Sequence, residues 1–389
     1  MKFRSFYQVI LIIAVIARQL PCSGHNNELK KTSQDSTSVK PAKVSKFDSM
    51  NKKFEHLFKI IPAPIYSHSV EAGNVFGLAK FDVITLSKYD KVSANSFITE
   101  MFTFSSLGQI NLNGATELNW HEGKYMVMGV FNYKHAPEYI LGIGNDVKIE
   151  DLEQIELTRF KVVNYGFIKV AQDFYVGLGV DLTNYTDIKT DSTSFLITDN
   201  VLGVDGGTSI GIGLSAVYDS RDLRTNPTKG TFIALKTMNF PSFLANPYLF
   251  SSINFDFRKY FVPWYHHVIA MQATTSYRTG DVPFYELALM GGSNKMRGYY
   301  EGAIRDRVLV DTQVEYRMPV WKIFGITGWI GTGRVGKSYS DLSLDGFWLS
   351  YGGGLRIRVD SEHNTNLRFD YGFTGHGYNA FIINFAEAF

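Results

Sequence analysis

Apolar and polar residues alternate along most of this chain, which restricts it to β-strands because successive strand side chains point to opposite faces. Between positions 308 and 318 one parity carries Val, Thr, Tyr and Met, whereas the other carries Asp311, Gln313, Glu315 and Arg317. One face of each predicted strand is therefore apolar and the other is polar. The same period recurs in the segments 174–183, 347–359 and 367–373.

The apolar faces fit a membrane better than the core of a soluble β-sandwich, which would show the same alternation. The alternating segments run about ten residues, the length that a tilted membrane strand needs, and their polar faces mix Gly, Arg and Asp as a wet lumen would. Aromatic residues form 15% of the chain and collect at strand ends, as at a membrane interface. The sequence predicts an all-β fold, a transmembrane antiparallel β-barrel of about 16 strands over residues 62–389.

The N-terminus has the features of a cleaved secretory signal. Lys2 and Arg4 precede an apolar run over residues 9–17, which is too short to cross a bilayer but suits a signal peptide. Cleavage after Gly24 would remove the single cysteine, Cys22, so a disulfide scaffold and a cysteine metal site are excluded. A lipoprotein signal at Cys22 is the weaker alternative.

These patterns divide the chain into three parts. Residues 1–24 are predicted to be the signal peptide, residues 25–61 a polar linker or short periplasmic segment, and residues 62–389 the barrel. Short connections such as 171–173 are predicted to face the periplasm, and longer polar ones such as 185–205 the outside. The predicted location is the bacterial outer membrane, whose lipid is the first partner.

Charge and histidine placement exclude other classes of partner. The formal net charge of +2 is spread through the chain without a basic cluster, so nucleic acid is not predicted as a partner. The adjacent His266 and His267 would point to opposite faces of a strand, which is poor geometry for a shared metal ion. Neither a metal nor another cofactor is predicted.

Three segments carry more specific patterns: Asp-Ser-Arg-Asp-Leu-Arg-Thr-Asn-Pro-Thr-Lys-Gly at 219–230, Gly-Gly-Ser-Asn-Lys-Met-Arg-Gly-Tyr at 291–299, and Val-Glu-Tyr-Arg-Met-Pro at 314–319. Together they resemble the BamA/TamA-like bacterial surface antigen family, whose barrels insert or translocate proteins at outer membranes. The resemblance covers most of residues 62–389. It implies that the first segment is an acid–basic–acid turn between two barrel strands, with Asp219, Arg221, Asp222, Pro227 and Gly230 as its characteristic residues.

The resemblance also implies that the second segment is a loop that folds back into the lumen and that the third is the strand receiving it. Arg297 carries five donors, Gly298 lets the backbone approach the wall, and Tyr299 can stack, while Glu315 lies on the polar, lumenal parity. An Arg297–Glu315 ion pair is therefore predicted to fix the loop inside. In the family a second acid lies on the next strand, where this chain has Gly331, so the contact is altered there.

Both ends of the predicted barrel bear on its function. Family members that insert proteins carry periplasmic domains before the barrel, and residues 25–61 are too few to hold one. Residues 61–66 instead resemble the first strand of short members that consist of a barrel alone. Phe385 and Phe389 are predicted to form a C-terminal barrel signal. Client capture would then need a separate periplasmic partner.

Two short patterns would indicate an enzyme, but their context opposes it. Residues 331–338, which include Lys337, match a phosphate-binding loop, and residues 207–211 match a nucleophile elbow around Ser209. Each would have to open a helix, yet the residues after Ser209 alternate as in a strand and those after Lys337 are typical of a loop. The chain is not predicted to be an enzyme.

Two functions remain open. The first is insertion or export of client outer-membrane or secreted proteins, with a weak seam between the first and last strands that the resemblance implies. The second is a passive pore or structural outer-membrane barrel without assembly activity.

Overall fold

A computed structural model describes residues 62–69, 73–86, 89, 90 and 92–389. The predicted signal peptide, 1–24, and the predicted polar segment, 25–61, lie outside the described residues. Within the described part of the chain no helix is long and apolar enough to span a bilayer.

Antiparallel strands of one 16-stranded sheet make up most of the described chain, and this number confirms the sequence prediction. The sheet follows the order of the chain, and among the described strands only β6, β13 and β14 lie outside it, in a small sheet of their own. The strands are β1 (Ala63–Ser69), β2 (Gly73–Ile84), β3 (Ser96–Ser105), β4 (Ile110–Trp120), β5 (Tyr125–Ile140), β6 (Gly142–Ile143), β7 (Glu153–Ala171), β8 (Phe174–Lys189), β9 (Gly207–Asp219), β10 (Gly230–Phe240), β11 (Phe250–Phe261), β12 (Val268–Gly280), β13 (Ala288–Met290), β14 (Ile304–Asp306), β15 (Val308–Trp321), β16 (Phe324–Gly336), β17 (Trp348–Asp360), β18 (Thr365–Thr374) and β19 (Asn379–Phe385).

Within the described residues, helical structure is confined to the connections. The helix α1 (Phe195–Thr198) begins after Ser194, whose side chain accepts a hydrogen bond from the Leu196 N–H. Short 3₁₀ turns occupy Ile149–Asp151, Ser242–Leu244, Phe284–Glu286 and Tyr339–Asp341.

The two parities of the strands face different surroundings, as the alternation predicts. In β8 the outward Leu178 is 69% exposed, whereas Asp181 and Thr183 point inward and are buried. In β15 Val314 faces outward and Glu315 is fully buried inside. An outer surface of exposed Leu, Ile, Val and Phe is what hydrocarbon solvates, and the polar residues face the lumen.

Connections alternate between the two ends of the barrel because neighbouring strands are antiparallel. The long-loop end carries the connections 141–152, 190–206, 281–307 and 337–347, and its interior is packed with apolar side chains from those loops, including Leu196, Phe284 and Leu287. The short-turn end carries 172–173, 322–323 and 361–364, and also the longer connection 220–229. The orientation of these ends relative to the periplasm stays a prediction.

The barrel is nearly closed, and the gap in it has a definite place. The order of the sheet begins at β1 and ends at β19, and no ladder joins these two strands within the described residues. Across the gap the rings of Phe81, on β2, and Phe385, on β19, stack with centroids 6.0 Å apart. We call this gap the seam.

Candidate functional site

The connection 281–307 between β12 and β15, here called the lumenal loop, folds back into the barrel. Its two ends form the small sheet, in which β13 pairs antiparallel with β14 and β14 pairs parallel with β6. Two hydrogen bonds extend this pairing: the Leu141 N–H donates to the Ala303 carbonyl at 2.8 Å, and the Gly144 N–H to the Arg305 carbonyl at 3.0 Å. The base of the loop is therefore fixed by backbone contacts.

A buried carboxylate holds the same base electrostatically. Glu138 on β5 lies within ion-pair distance of three cations, Lys134 at 3.3 Å, Arg159 at 3.7 Å and Arg305 at 3.8 Å. Arg305 is fully buried, and its Nε donates to the Gly302 carbonyl at 2.6 Å. Because Lys134 and Arg159 belong to the wall, Glu138 ties the loop to two barrel strands.

The tip of the lumenal loop places Arg297 between two acids. The guanidinium is fully buried, with Nη2 donating to Glu315 at 2.7 Å and Nη1 to Asp370 at 2.7 Å. Its Cζ lies 3.7 Å from the ring centroid of Trp329, a cation–π distance. Charge-assisted hydrogen bonds to two strands, together with the Trp329 ring against the guanidinium, hold the Arg297 side chain in one orientation.

Close backbone contact fixes the residues around Arg297. Gly298 has a φ of +114°, in the region that favours glycine, and a Cβ on Gly372 of β18 would lie 2.7 Å from the Arg297 carbonyl. The Tyr299 hydroxyl donates to the Leu349 carbonyl at 3.0 Å. Burial raises the pKa of Tyr299 to about 12, so the phenol remains a donor at neutral pH.

Six side chains form a closed ring of alternating charge around this tip. Going round, Arg297 bonds Glu315 at 2.7 Å, Glu315 bonds Arg317 at 2.8 Å, Arg317 lies 3.8 Å from Glu387, Glu387 bonds Arg356 at 2.6 Å, Arg356 bonds Asp370 at 2.6 Å, and Asp370 bonds Arg297 at 2.7 Å. We call these six residues the ion ring. Every positive member lies between two carboxylates, which offsets the cost of burying three arginines.

The second acid comes from a strand that the sequence analysis did not assign. Gly331 lies on β16, where a Cβ would meet the Gln313 side chain at 3.0 Å, so an acid there would need rearrangement. Asp370 on β18 supplies the carboxylate instead. Its parity gave a signal in the sequence, because Asp370 alternates with apolar residues in the segment 367–373.

Residues that follow the seam strand complete the ion ring. After β19 the chain turns inward at Ala386, whose φ is +63°, and its N–H donates to the Asn366 carbonyl at 2.8 Å. Glu387, Ala388 and Phe389 then lie in the lumen, and Ala388 and Phe389 pack with Tyr260. The sequence offered no sign of this, since Phe389 fits an ordinary barrel signal. Phe385 is the last residue of β19, and the signal role of Phe385 and Phe389 stays a prediction.

Glu387, Ala388 and Phe389 also line a cavity in the lumen. The cavity has a volume of about 520 Å³ and is bounded by wall residues including Lys236 and Arg258 as well as by Glu387 and Phe389. It lies on the side of the lumen that the apolar loop packing of the long-loop end does not fill.

The characteristic turn 219–230 reaches across the lumen instead of ending at the rim. Arg221 makes two bonds to the Asp219 carboxylate, at 2.8 and 2.9 Å, and Arg224 pairs with Glu117 on the distant strand β4. The buried Pro227 offers its carbonyl to Arg317 at 3.1 Å. The turn therefore helps to position Arg317, one arginine of the ion ring.

Two further predicted residues shape this turn. Asp222 accepts hydrogen bonds from the Leu223, Thr228 and Lys229 N–H groups at 2.9 to 3.1 Å and one from the Thr228 hydroxyl at 2.5 Å. Gly230 has a φ of +103°, and a Cβ there would collide with the Ser220 carbonyl. Both residue types are thus required by the local backbone.

The two enzyme-like motifs lack the structural context that they require. Ser209 lies inside β9, and Lys337 follows β16 and precedes only a three-residue 3₁₀ turn, so neither motif opens the helix that it requires. Among the described residues, Asp360, Glu362 and His363 have ligand atoms within 4.8 Å of one another, but Asp360 already bonds His363 at 2.6 Å.

Comparison with known proteins places the chain among outer-membrane barrels. The Omp85 superfamily domain matches residues 156–385. No curated protein sequence matches significantly. The fold is similar to that of BamA from Haemophilus ducreyi lacking POTRA domains 1–3, with a TM-score of 0.50 and 12% identity over 87% of this chain and 76% of that one.

Two further solved structures are similar at a lower level. CdiB from Acinetobacter baumannii gives a TM-score of 0.47 and 8% identity, and CdiB from Escherichia coli gives 0.48 and 11%. The alignments cover 84% and 83% of this chain but only 57% and 59% of the CdiB chains. The chain therefore spans less than two thirds of the length of either CdiB.

Proposed function

The chain belongs to the Omp85 superfamily, and from this premise we propose that it is an outer-membrane barrel that takes part in inserting or exporting other proteins, together with a separate periplasmic partner. The observation that carries the proposal is the seam, where the sheet has two edges, β1 and β19, that no ladder joins within the described residues. Hydrocarbon cannot hydrate strand edges, so a membrane barrel with a seam has two strands available for pairing.

In the proposed mechanism a client strand adds to one of these edges. Main-chain hydrogen bonds would supply the affinity, and the outward apolar parity of the client would enter the lipid. The lumenal loop would keep the barrel in shape while the seam is open, because the loop tip contacts β15 and β18 through Glu315 and Asp370. No covalent chemistry is involved.

Depletion of the chain tests this function. Outer-membrane and secreted proteins are quantified before and after depletion, with transcript levels measured in parallel. We expect a defined set of barrels or secreted proteins to fall while their transcripts hold steady, and that set names the candidate clients. Identical protein profiles before and after depletion would refute the role in insertion or export.

A matched pair of variants in the depleted cells links the function to the site. Arg297→Ala removes the buried double ion pair, whereas Lys295→Ala removes the contacts of a partly exposed ammonium with Asp311 at 3.1 Å and with the Thr274 hydroxyl at 3.0 Å. If the site acts in assembly, Arg297→Ala fails to restore client levels although the barrel is inserted, and Lys295→Ala restores them. Equal rescue by both variants would separate Arg297 from the function.

The passive pore is the second candidate, and the observation that favours it is the internal cavity of about 520 Å³. The packed loops at the long-loop end argue for low conductance in the resting state. A planar bilayer recording distinguishes the two: a steady, selective conductance from the unaltered barrel, with unchanged client levels on depletion, would establish the pore.

A further inference from the structure

The ion ring brings three parts of the molecule into contact with one another. Arg297 belongs to the lumenal loop, Glu315 and Asp370 belong to the wall, and Glu387 belongs to the segment that follows the seam strand β19. A contact network thus runs from the loop tip to one edge of the seam.

Glu387 is held firmly in the lumen. Arg356 donates to its carboxylate at 2.6 Å and Asn366 at 2.7 Å, and Arg317 lies 3.8 Å away. Burial alone would raise the pKa of Glu387, but the charges of Arg356 and Arg317 outweigh it and lower the pKa. Glu387 is therefore an ionised anchor that pulls the end of β19 inward.

The same two arginines also serve the loop. Arg317 bonds Glu315, and Arg356 bonds Asp370, and these are the two carboxylates that hold Arg297. When Arg297 leaves, both carboxylates have only wall arginines to neutralise them. Arg368 lies 3.5 Å from Asp370 and stays in place, but Arg317 and Arg356 would then carry a larger share of the charge of Glu315 and Asp370, which weakens their hold on Glu387.

We propose that Glu387 is a positioning residue that couples the lumenal loop to the seam, so that the seam is held closed while Arg297 occupies the ion ring and is released when the loop tip withdraws. This inference rests on the proposed function, because it assigns a control element to the same seam. The ion ring is the element with two states. It contacts the loop tip on one side and the segment after β19 on the other.

A cross-link across the seam measures the coupling. The full chain carries Cys22→Ser, Phe81→Cys and Phe385→Cys, which replace the ring pair with centroids 6.0 Å apart. The protein is placed in lipid vesicles without a client, and the rate of reaction with a short bifunctional thiol reagent is followed. A closed seam keeps the two thiols together and gives a high rate.

Four variants in this background decide the outcome. We expect Glu387→Gln and Arg297→Ala each to lower the cross-linking rate at least fivefold, and the double variant to lower it no further, because both act through one ring. Lys295→Ala, which breaks a loop ion pair outside the ring, should leave the rate unchanged.

Contrary results overturn the proposal at distinct points. An unchanged rate in Glu387→Gln shows that this residue does not hold the seam. A reduced rate in Glu387→Gln with an unchanged rate in Arg297→Ala shows that loop and seam are independent. If Glu387→Gln does not fold, Phe389→Ala removes the apolar anchor of the same segment and leaves the charges in place, and it too should lower the rate.

The failure of this inference differs from the failure of the proposed function. If the rates change as expected but depletion leaves client levels unaltered, the coupling stands and the assembly role falls. If client levels fall on depletion but the cross-linking rates do not respond, the assembly role stands and the coupling falls.

Discussion

At the scale of single residues, the site is governed by charge balance in a volume that water does not reach. Arg297, Glu315 and Asp370 have no measurable side-chain exposure. Removing one partner of a buried ion pair leaves the other charge without compensation, which costs more than the net contribution of the pair. The ion ring is therefore far more sensitive to substitution than exposed pairs on the same barrel.

Arg297→Ala should lower the free energy of unfolding by about 3 to 5 kcal/mol, because two buried carboxylates lose a shared partner. The change is measured by urea unfolding of the barrel in lipid vesicles. Lys295→Ala is the control and should cost clearly less, because Lys295 is partly exposed and its buried partner Asp311 keeps a hydrogen bond from the Thr274 hydroxyl at 2.8 Å. A loss below 1 kcal/mol for Arg297→Ala would show that the ring contributes little to stability.

Asp222→Ala should destabilise the turn by about 1 kcal/mol, because three backbone N–H groups lose their acceptor. Asp345→Ala, in an exposed loop at the other barrel end, is the matched control. Limited proteolysis within residues 220–229 reports the loss. Equal cleavage of wild type and variant would show that the turn is held by its other contacts.

The same carboxylate predicts a pH dependence. Burial alone would raise the pKa of Asp222, but its hydrogen bonds, led by those from Thr228, keep the pKa below its ordinary value. Its contribution to stability is therefore present above the pKa of the unfolded state, about 3.9, and is lost as pH falls through the lower folded value. Proteolysis of the turn by an acid protease should rise below about pH 4 in wild type, and the rise should be smaller in Asp222→Ala.

At the scale of elements, the lumenal loop is a small folded unit with two separate anchors. The base is held by the small sheet and by Glu138, and the tip by the ion ring. The two anchors use different wall strands. The contacts of one anchor can therefore break while the other keeps the loop in place. This arrangement permits movement of the tip without loss of the loop.

Glu138→Gln should loosen the base and leave the tip in place, because Lys134, Arg159 and Arg305 then lie together without a carboxylate. Hydrogen exchange at the Leu141 and Gly144 amides, which bond to the loop, should speed up at least tenfold. Glu156→Gln removes an exposed pair with Lys189 and serves as the control. Unchanged exchange in Glu138→Gln would mean that backbone pairing alone holds the base.

Sequence patterns predicted the strands well because alternation is a local property. The parity of Glu315 followed from the alternation, whereas its pairing with Arg297 followed from the family resemblance of the segments 291–299 and 314–319. The geometry brings the two side chains within 2.7 Å. The alternation placed Asp370 on the lumenal face, but it did not predict the contact with Arg297. The strands that meet the loop tip depend on how far the loop reaches into the lumen. The inward turn at Ala386 left no pattern at all.

At the scale of the whole molecule, the described residues form a continuous sheet with one seam, and the interior of the barrel is filled unevenly. Apolar loop side chains pack the long-loop end, whereas a cavity of about 520 Å³ remains deeper in the lumen. The 16 strands supply the wall, and the contents of the lumen determine whether anything passes through it.

Replacing residues 292–302 by a short Gly-Ser linker should raise conductance across a planar bilayer severalfold, because it removes the tip that fills the lumen. Wild type should show low and infrequent conductance, and Lys295→Ala should match wild type. Equal conductance of the shortened barrel and wild type would place the barrier in the remaining loops of the long-loop end.

The ion ring also has a consequence for the order of folding. The ladders of the sheet join neighbouring strands and close short chain segments, whereas the bond from Arg297 to Asp370 spans 73 residues. Contacts between residues far apart in the sequence cost more loop-closure entropy than local hairpins, and they form later. The ring can therefore close only after the final strands are in place: a chain that lacks them has no Asp370 or Glu387, and Arg297 is left with Glu315 as its carboxylate partner.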